Sequence, residues 1–86
     1  MASYKLSFKR SAEKELRAIP SPFLRKVVDK IRLLSEDPRP HGTQMLAGDD
    51  RYFRIRQGDW RIIYEVNDGA EEVIVIKIGH RREVYK

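Results

Sequence analysis

Eighty-six residues with a net charge of +5, 41% hydrophobic and 36% charged, are enough for one compact domain and too apolar for a disordered chain. The absence of cysteine excludes a disulfide framework, a thiolate nucleophile and a cysteine-based zinc site. No apolar run approaches the roughly 20 residues that span a bilayer, and the polar start MASYKLSFKRS is unlike a signal peptide, so the cytoplasm is the expected location. The positive balance favours a polyanionic partner: RNA, DNA or an acidic protein.

Residues 4–10, YKLSFKR, alternate Tyr4, Leu6 and Phe8 with Lys5, Ser7 and Lys9, the period of a strand buried on one face. Ser11 is placed to cap a short helix, SAEKELRAI, with Glu13 and Glu15 where the helix dipole favours anions. Ala12, Leu16 and Ile19 form its apolar stripe, and Pro20 stops it. Ser21 and Pro22 then open a second helix, in which Phe23, Val27, Ile31 and Leu34 share one side, widened by Leu24 and Val28. EDPRPHG (36–42) ends it, and TQMLAGDD is a loop with Met45 and Leu46 tucked against the core.

The rest is β. Strands are expected over 51–56 and 60–66, joined by a QGD turn, and a long strand over 71–82 whose VIVIKI run has the apolar character of a central strand. The order β-α-α-β-β-β predicts an α+β domain filling residues 1–86, with two N-terminal helices packed on one face of a small, mainly antiparallel sheet.

With helices on one face only, the other face is open. Phe53 and Ile55 point to the helices, while Tyr52, Arg54 and Arg56 point away. Same-face neighbours stand about 6.5–7 Å apart, close to the spacing of successive phosphates in an extended nucleic-acid strand. Arg61 joins this face from across the hairpin, and Lys77, Gly79 and Arg81 share one parity, opposite to Ile74, Ile76 and Ile78. The expected result is a cationic trough. Tyr52 is its candidate for base stacking, whereas Trp60 is assigned to packing.

His80 is the histidine nearest the cluster and the natural proton shuttle near neutral pH, but its parity matches Ile76 and Ile78 and equally fits a structural role. His41, in a proline-rich loop, is structural. There is no metal motif, glycine-rich phosphate loop or serine triad. In the terminal GHRREVYK, Tyr85 follows the consecutive cations Arg81 and Arg82. It either folds back over the open face or plugs an apolar edge.

YKLSFKRSAEKELRAIP, MLAG, YFRIRQGDWRIIYEV and VIVIKIGHRREVY, in this order and over nearly the whole chain, resemble the RelE/ParE superfamily of bacterial and archaeal toxins, RelE branch. The resemblance implies a two-helix, antiparallel-sheet fold and cleavage of messenger RNA in the ribosomal decoding site, without a cofactor. It also implies a RelB-like antitoxin that silences the toxin in a higher-order hetero-oligomer. Carried over by position, the basic pair of the first hairpin strand falls on Arg54 and Arg56 and the cation after the turn on Arg61. The arginine ending the last strand falls on Arg81, and the terminal tyrosine on Tyr85. Arg61 and Arg81 are then placed to stabilise the transition state, with Arg54, Arg56, Lys77, Arg82 and Tyr52 on the RNA. Tyr85 orients the scissile nucleotide, and His80 and Tyr85 are the acid–base candidates. Some relatives carry lysines where this chain has Arg54 and Arg56; a guanidinium does not deprotonate, so neither arginine is a general base. Two other functions fit the same fold: a ParE-like gyrase inhibitor and an inactive nucleic-acid-binding module.

Overall fold

Strand β4 (Trp60–Asn67) is the middle of the sheet and the element around which the chain is organised. The computed structural model describes residues 3–48 and 50–80. Within them, β1 (Lys5–Phe8) leads into helices α1 (Arg10–Arg17) and α2 (Ser21–Glu36); β2 (Gln44–Met45), β3 (Tyr52–Gln57), β4 and β5 (Glu72–His80) follow. The five strands lie in the order β1-β5-β4-β3-β2. β1 runs parallel to β5, and every other pair is antiparallel. The expected α+β layout is present, with one strand more than the sequence pattern indicates. No helix of the described residues is long and apolar enough to cross a membrane.

Local chemistry accounts for most element ends. Gly58 takes a φ of +62° at the first central position of the β3–β4 turn, where a residue with a Cβ is strained and glycine is not. Pro20 separates the helices: its carbonyl accepts the N–H groups of Phe23 and Leu24, both at 2.9 Å, and Pro22 sits in the first turn of α2. Ser11 does not cap α1. The cap lies two residues earlier, at extended Lys9, and Ser11 lies inside the first turn.

β2 replaces the expected loop. Gln44 pairs with Arg54 and Met45 with Phe53, which makes this two-residue strand the sheet edge. Met45 is therefore 60% exposed rather than tucked into the core. Two residues are too few to show an alternation. Phe23, expected on the buried stripe, is also exposed; that stripe begins one turn later, at Val27, and continues through Ile31 and Leu34.

The core lies between the helices and one sheet face. Ala12, Ile19, Val27, Ile31 and Leu34 meet Phe53, Ile55, Ile62, Tyr64, Val66, Val73, Val75 and Ile78 in one cluster, with Leu6 and Phe8 packed against it. Tyr64 is fully buried, and its hydroxyl donates to the Pro38 carbonyl at 2.7 Å with Thr43 Oγ1 3.3 Å away. Burial pushes its phenol pKa up, because the phenolate would lose its water.

One irregularity sets the register of the last strand. Ile63 pairs with Lys77 and Tyr64 with Val75, so Ile76 is an extra residue on β5, a β-bulge. Before the bulge, odd-numbered residues Val73 and Val75 face the core; after it, Ile78 does. Ile74 and Lys77 consequently share the open face. The expected opposition of Ile74 to Lys77 does not hold, because strict alternation fails at one residue.

Candidate nucleic-acid interface

The open face is built from cross-strand rows. Tyr52, Glu65 and Ile74 form one row; Gln44, Arg54, Ile63 and Lys77 the next; Arg56, Arg61 and Gly79 the third, beside the hairpin turn. Side chains directly opposite one another on adjacent strands stand about 4.5–5.5 Å apart at their Cβ atoms. Arg54, Arg56, Arg61 and Lys77 therefore occupy two adjacent rows across three strands. The buried side chains of α1 and α2 all join the cluster on the other face.

The pairing of Arg56 with Arg61 is the most informative contact on this face. Like charges directly opposite in an antiparallel pair destabilise the sheet. An anion bound between the two arginine side chains would offset that repulsion. Arg56 is exposed and Arg61 half-buried. Gly79, Arg61's partner on β5, completes the row without a side chain. Arg54 is half-buried one row away and donates to the Gln44 side-chain oxygen of the edge strand, which fixes its direction.

Three residues depart from their expected surroundings. Lys77 lies in the Arg54 row, but its ammonium reaches Glu15 of α1 at 3.1 Å and is held at the margin of the face. Tyr52 points to the open side as expected, with the Arg51 guanidinium 5.4 Å from its ring centroid and Glu65 beside it, so one face of the ring already has a cation. His80 is not brought to the arginines. It pairs with Trp60 in a row of core-facing parity, ring centroids 5.6 Å apart and edge-on at 88°. The strand places it on the other side from Arg61. Arg81, Arg82 and Tyr85 lie outside the described residues.

Sequence reasoning missed Glu15 as a structural anchor, although the signal was there. Glu15 stands three residues after Ala12 and four before Ile19, so it falls within the apolar stripe of α1, where a carboxylate needs partners. It finds them in Lys77 Nζ and in the N–H of Ile78, which donates to Oε1 at 2.9 Å.

A second polar cluster occupies the far end of the β3–β4 pair. A cleft of about 290 Å³ there is lined by Arg39, Asp50, Arg51, Glu65, Val66, Asn67 and Asp68. Arg39 donates twice to the Asp68 carboxylate, at 2.7 and 3.2 Å, and its guanidinium lies 5.1 Å from the Phe53 ring centroid. Tyr4 adds a third hydrogen bond to Asp68 at 2.7 Å. The Arg39 hydrogen bonds, then that from Tyr4, hold the Asp68 carboxyl below its ordinary pKa; the bond to Asp68 likewise raises Tyr4 and Arg39. Arg39, Asp68 and Tyr4 thus satisfy one another, forming a clasp between the segment after α2 and the turn after β4.

The family model described as ParE toxin of type II toxin-antitoxin system, parDE, matches residues 6–85. The chain is similar to the toxin RelG of Mycobacterium tuberculosis, with 29% identity over 96% of this chain and 97% of that protein. It is likewise similar to the mRNA interferase toxin RelE of Escherichia coli, with 31% identity over 96% of this chain and 90% of that protein. Among solved structures, the isolated E. coli RelE toxin superposes with a TM-score of 0.81 at 29% identity, covering 91% of this chain and 84% of that one. The intact E. coli RelBE toxin-antitoxin complex gives 0.80 at 29% identity, covering 91% and 96%. The sheet order, the two helices on one face and the matched sequence agree with one another: the chain belongs to the RelE/ParE superfamily of type II toxin–antitoxin toxins, on its RelE branch.

Proposed function

We propose that this protein is the toxin of a type II toxin–antitoxin module and a ribosome-dependent messenger-RNA endoribonuclease. The observation that carries the proposal is the Arg56–Arg61 row, with Arg54 beside it, on a sheet face that the helices leave uncovered. The similar E. coli protein named as an mRNA interferase supports the reaction class, and the E. coli RelBE complex supports a RelB-like antitoxin as partner.

The substrate supplies its own nucleophile. A ribose 2′-hydroxyl loses its proton and attacks the adjacent phosphorus; the bond to the 5′-oxygen breaks, and that oxygen takes up a proton as the downstream fragment leaves. A 2′,3′-cyclic phosphate remains on the upstream fragment. Neither a covalent enzyme intermediate nor a metal is required by this sequence of steps. Negative charge grows on the phosphoryl oxygens in the pentacoordinate state, where the Arg61 guanidinium stabilises it more than it stabilises the ground state. Arg54 and Arg56 hold flanking phosphates. By their sequence positions Arg81 adds a second cation and Tyr85 orients the scissile nucleotide, with Arg82 and Tyr52 along the RNA path. The core-side position of His80 leaves Tyr85 as the preferred acid–base group of this chain.

Such a set is strong in charge and poor in proton-transfer groups, which fits an enzyme whose substrate is aligned by the ribosome, since positioning alone can lower a barrier greatly. The proposal places the toxin in the cytoplasm, where that substrate is found. The test is a defined messenger RNA incubated with the purified protein, with and without programmed ribosomes. Cuts inside the codon presented in the decoding site, seen only with ribosomes, are expected. Equally efficient cutting of naked RNA would remove the ribosome from the mechanism. The matched family is described by its ParE members, so gyrase inhibition is the second function to assay; DNA damage without messenger-RNA cleavage on induced expression would establish it instead.

A further inference from the structure

β1 ends at Phe8, whose partner is Val75, and the Lys9 N–H donating to the Val75 carbonyl at 2.9 Å is the last rung of that pairing. From residue 76 onward β5 has, among the described residues, no strand on this side. The bulge at Ile76 falls at the same point, so the strand loses its neighbour where its alternation is already broken. A slip of one residue there would exchange Lys77 with Ile78 and send an apolar side chain to the open face. The chain meets this weak point with α1. Glu15 accepts the Ile78 N–H through Oε1 at 2.9 Å and the Lys77 ammonium through Oε2 at 3.1 Å, gripping two consecutive residues, one by backbone and one by side chain. Its side chain is only 32% exposed, which strengthens both contacts relative to a surface pair. The next residue is Gly79, partner of Arg61 in the row with Arg56.

We infer that Glu15 is a positioning residue of the cationic face. Its carboxylate stands in for the missing neighbour strand, fixes the register of β5 after the bulge, and so sets the β5 flank of Arg61 while keeping Lys77 at the margin. The activity arm of the test rests on the ribonuclease function proposed above; the exchange arm does not.

Glu15→Ala is expected to lower kcat for ribosome-programmed messenger-RNA cleavage by roughly 10- to 100-fold with KM nearly unchanged, because misplaced groups cost rate rather than binding. Amide exchange at Ile78 should accelerate while that at Val73 and Tyr64 stays as in the parent protein. Glu15→Gln keeps an oxygen acceptor for the Ile78 N–H and should restore both readouts. Should Glu15→Ala fail to fold, Glu15→Asp, one methylene short of reaching β5, is expected to show the same kcat loss and the same local exchange. Unchanged kcat and unchanged Ile78 exchange in the shortened variants would overturn the inference. So would a Glu15→Gln enzyme as slow as the alanine variant, which would make the charge and not the register the active quantity. A parent protein that cleaves nothing would end the ribonuclease proposal, and the Ile78 exchange contrast would still decide whether Glu15 holds the strand.

Discussion

Toward the helices, β3, β4 and β5 present Phe53, Ile55, Ile62, Tyr64, Val66, Val73, Val75 and Ile78, none more than 6% exposed. Toward the other side the same strands present Tyr52, Arg54, Arg56, Arg61, Glu65 and Lys77. The backbone is shared; the energetics are not. Every cross-strand pair on the first face removes apolar surface from water, whereas the second face sets one arginine directly opposite another. Stability is thus concentrated on one side, and the other is left to carry an arrangement whose charge favours an anionic ligand. A small domain tolerates this because the repulsion costs tenths of a kcal/mol to about 1 kcal/mol, while one buried aliphatic side chain contributes about 1.5–3 kcal/mol.

The contrast can be broken first on the apolar side. Ile62→Ala, at a position with no exposure, should cost about 2–5 kcal/mol in urea unfolding and lower activity only through loss of folded protein. Arg61→Ala, its neighbour on the opposite face, should do the reverse. Cleavage is expected to fall about 10²- to 10³-fold, with an unfolding midpoint much nearer the parent's than that of Ile62→Ala. A large stability loss in Arg61→Ala would mean that the cation is structural and the two faces are not separable.

Smaller changes sharpen the comparison. Tyr64→Phe deletes the hydroxyl that donates to Pro38 and should cost about 1 kcal/mol in the same unfolding measurement, a polar increment within an otherwise apolar face. Asp68→Asn tests the clasp through pH. The Asp68 pKa is depressed in the folded state, so its contribution is fully present above the unfolded carboxyl value, about 3.9, and is lost as pH falls through the lower folded value. The parent should exceed the variant in unfolding midpoint by a constant small margin near neutral pH, and that margin should vanish in acid. Both partners are well exposed, so salt should shrink it as well.

How much of this was legible in the sequence follows from the range of the interactions. The hairpin was readable because Gly58 and the flanking alternation are local, and so was the helix break at Pro20. The direction of Arg54, Arg56 and Arg61 needed only parity and the turn length, and the register agrees. β2 was not readable, since two residues carry no period and Met45 earns its place through pairing with Phe53. The side taken by Ile74 was misjudged because a bulge is one residue long and invisible to a pattern of period two. The sequence allows His80 two roles, and only its register with Trp60 separates it from the arginines. Glu15 suits the helix dipole and also falls in the apolar stripe of α1, which signals a need for partners; which partners they are, more than sixty positions away on β5, no local pattern tells.

The parallel pairing of β1 with β5 has a consequence for how the protein comes into being. Lys5 finds Glu72 and Phe8 finds Val75, so β1 must wait for β5, more than sixty residues later. Such distant closure is slow to form and cannot begin on a partial chain. The row that flanks Arg61 includes Gly79 of that final strand, and the anchor at Ile78 is also on it. During translation, therefore, the growing polypeptide is expected to lack the assembled row at Arg61 until β5 has emerged, so a partial chain carries no finished cationic face.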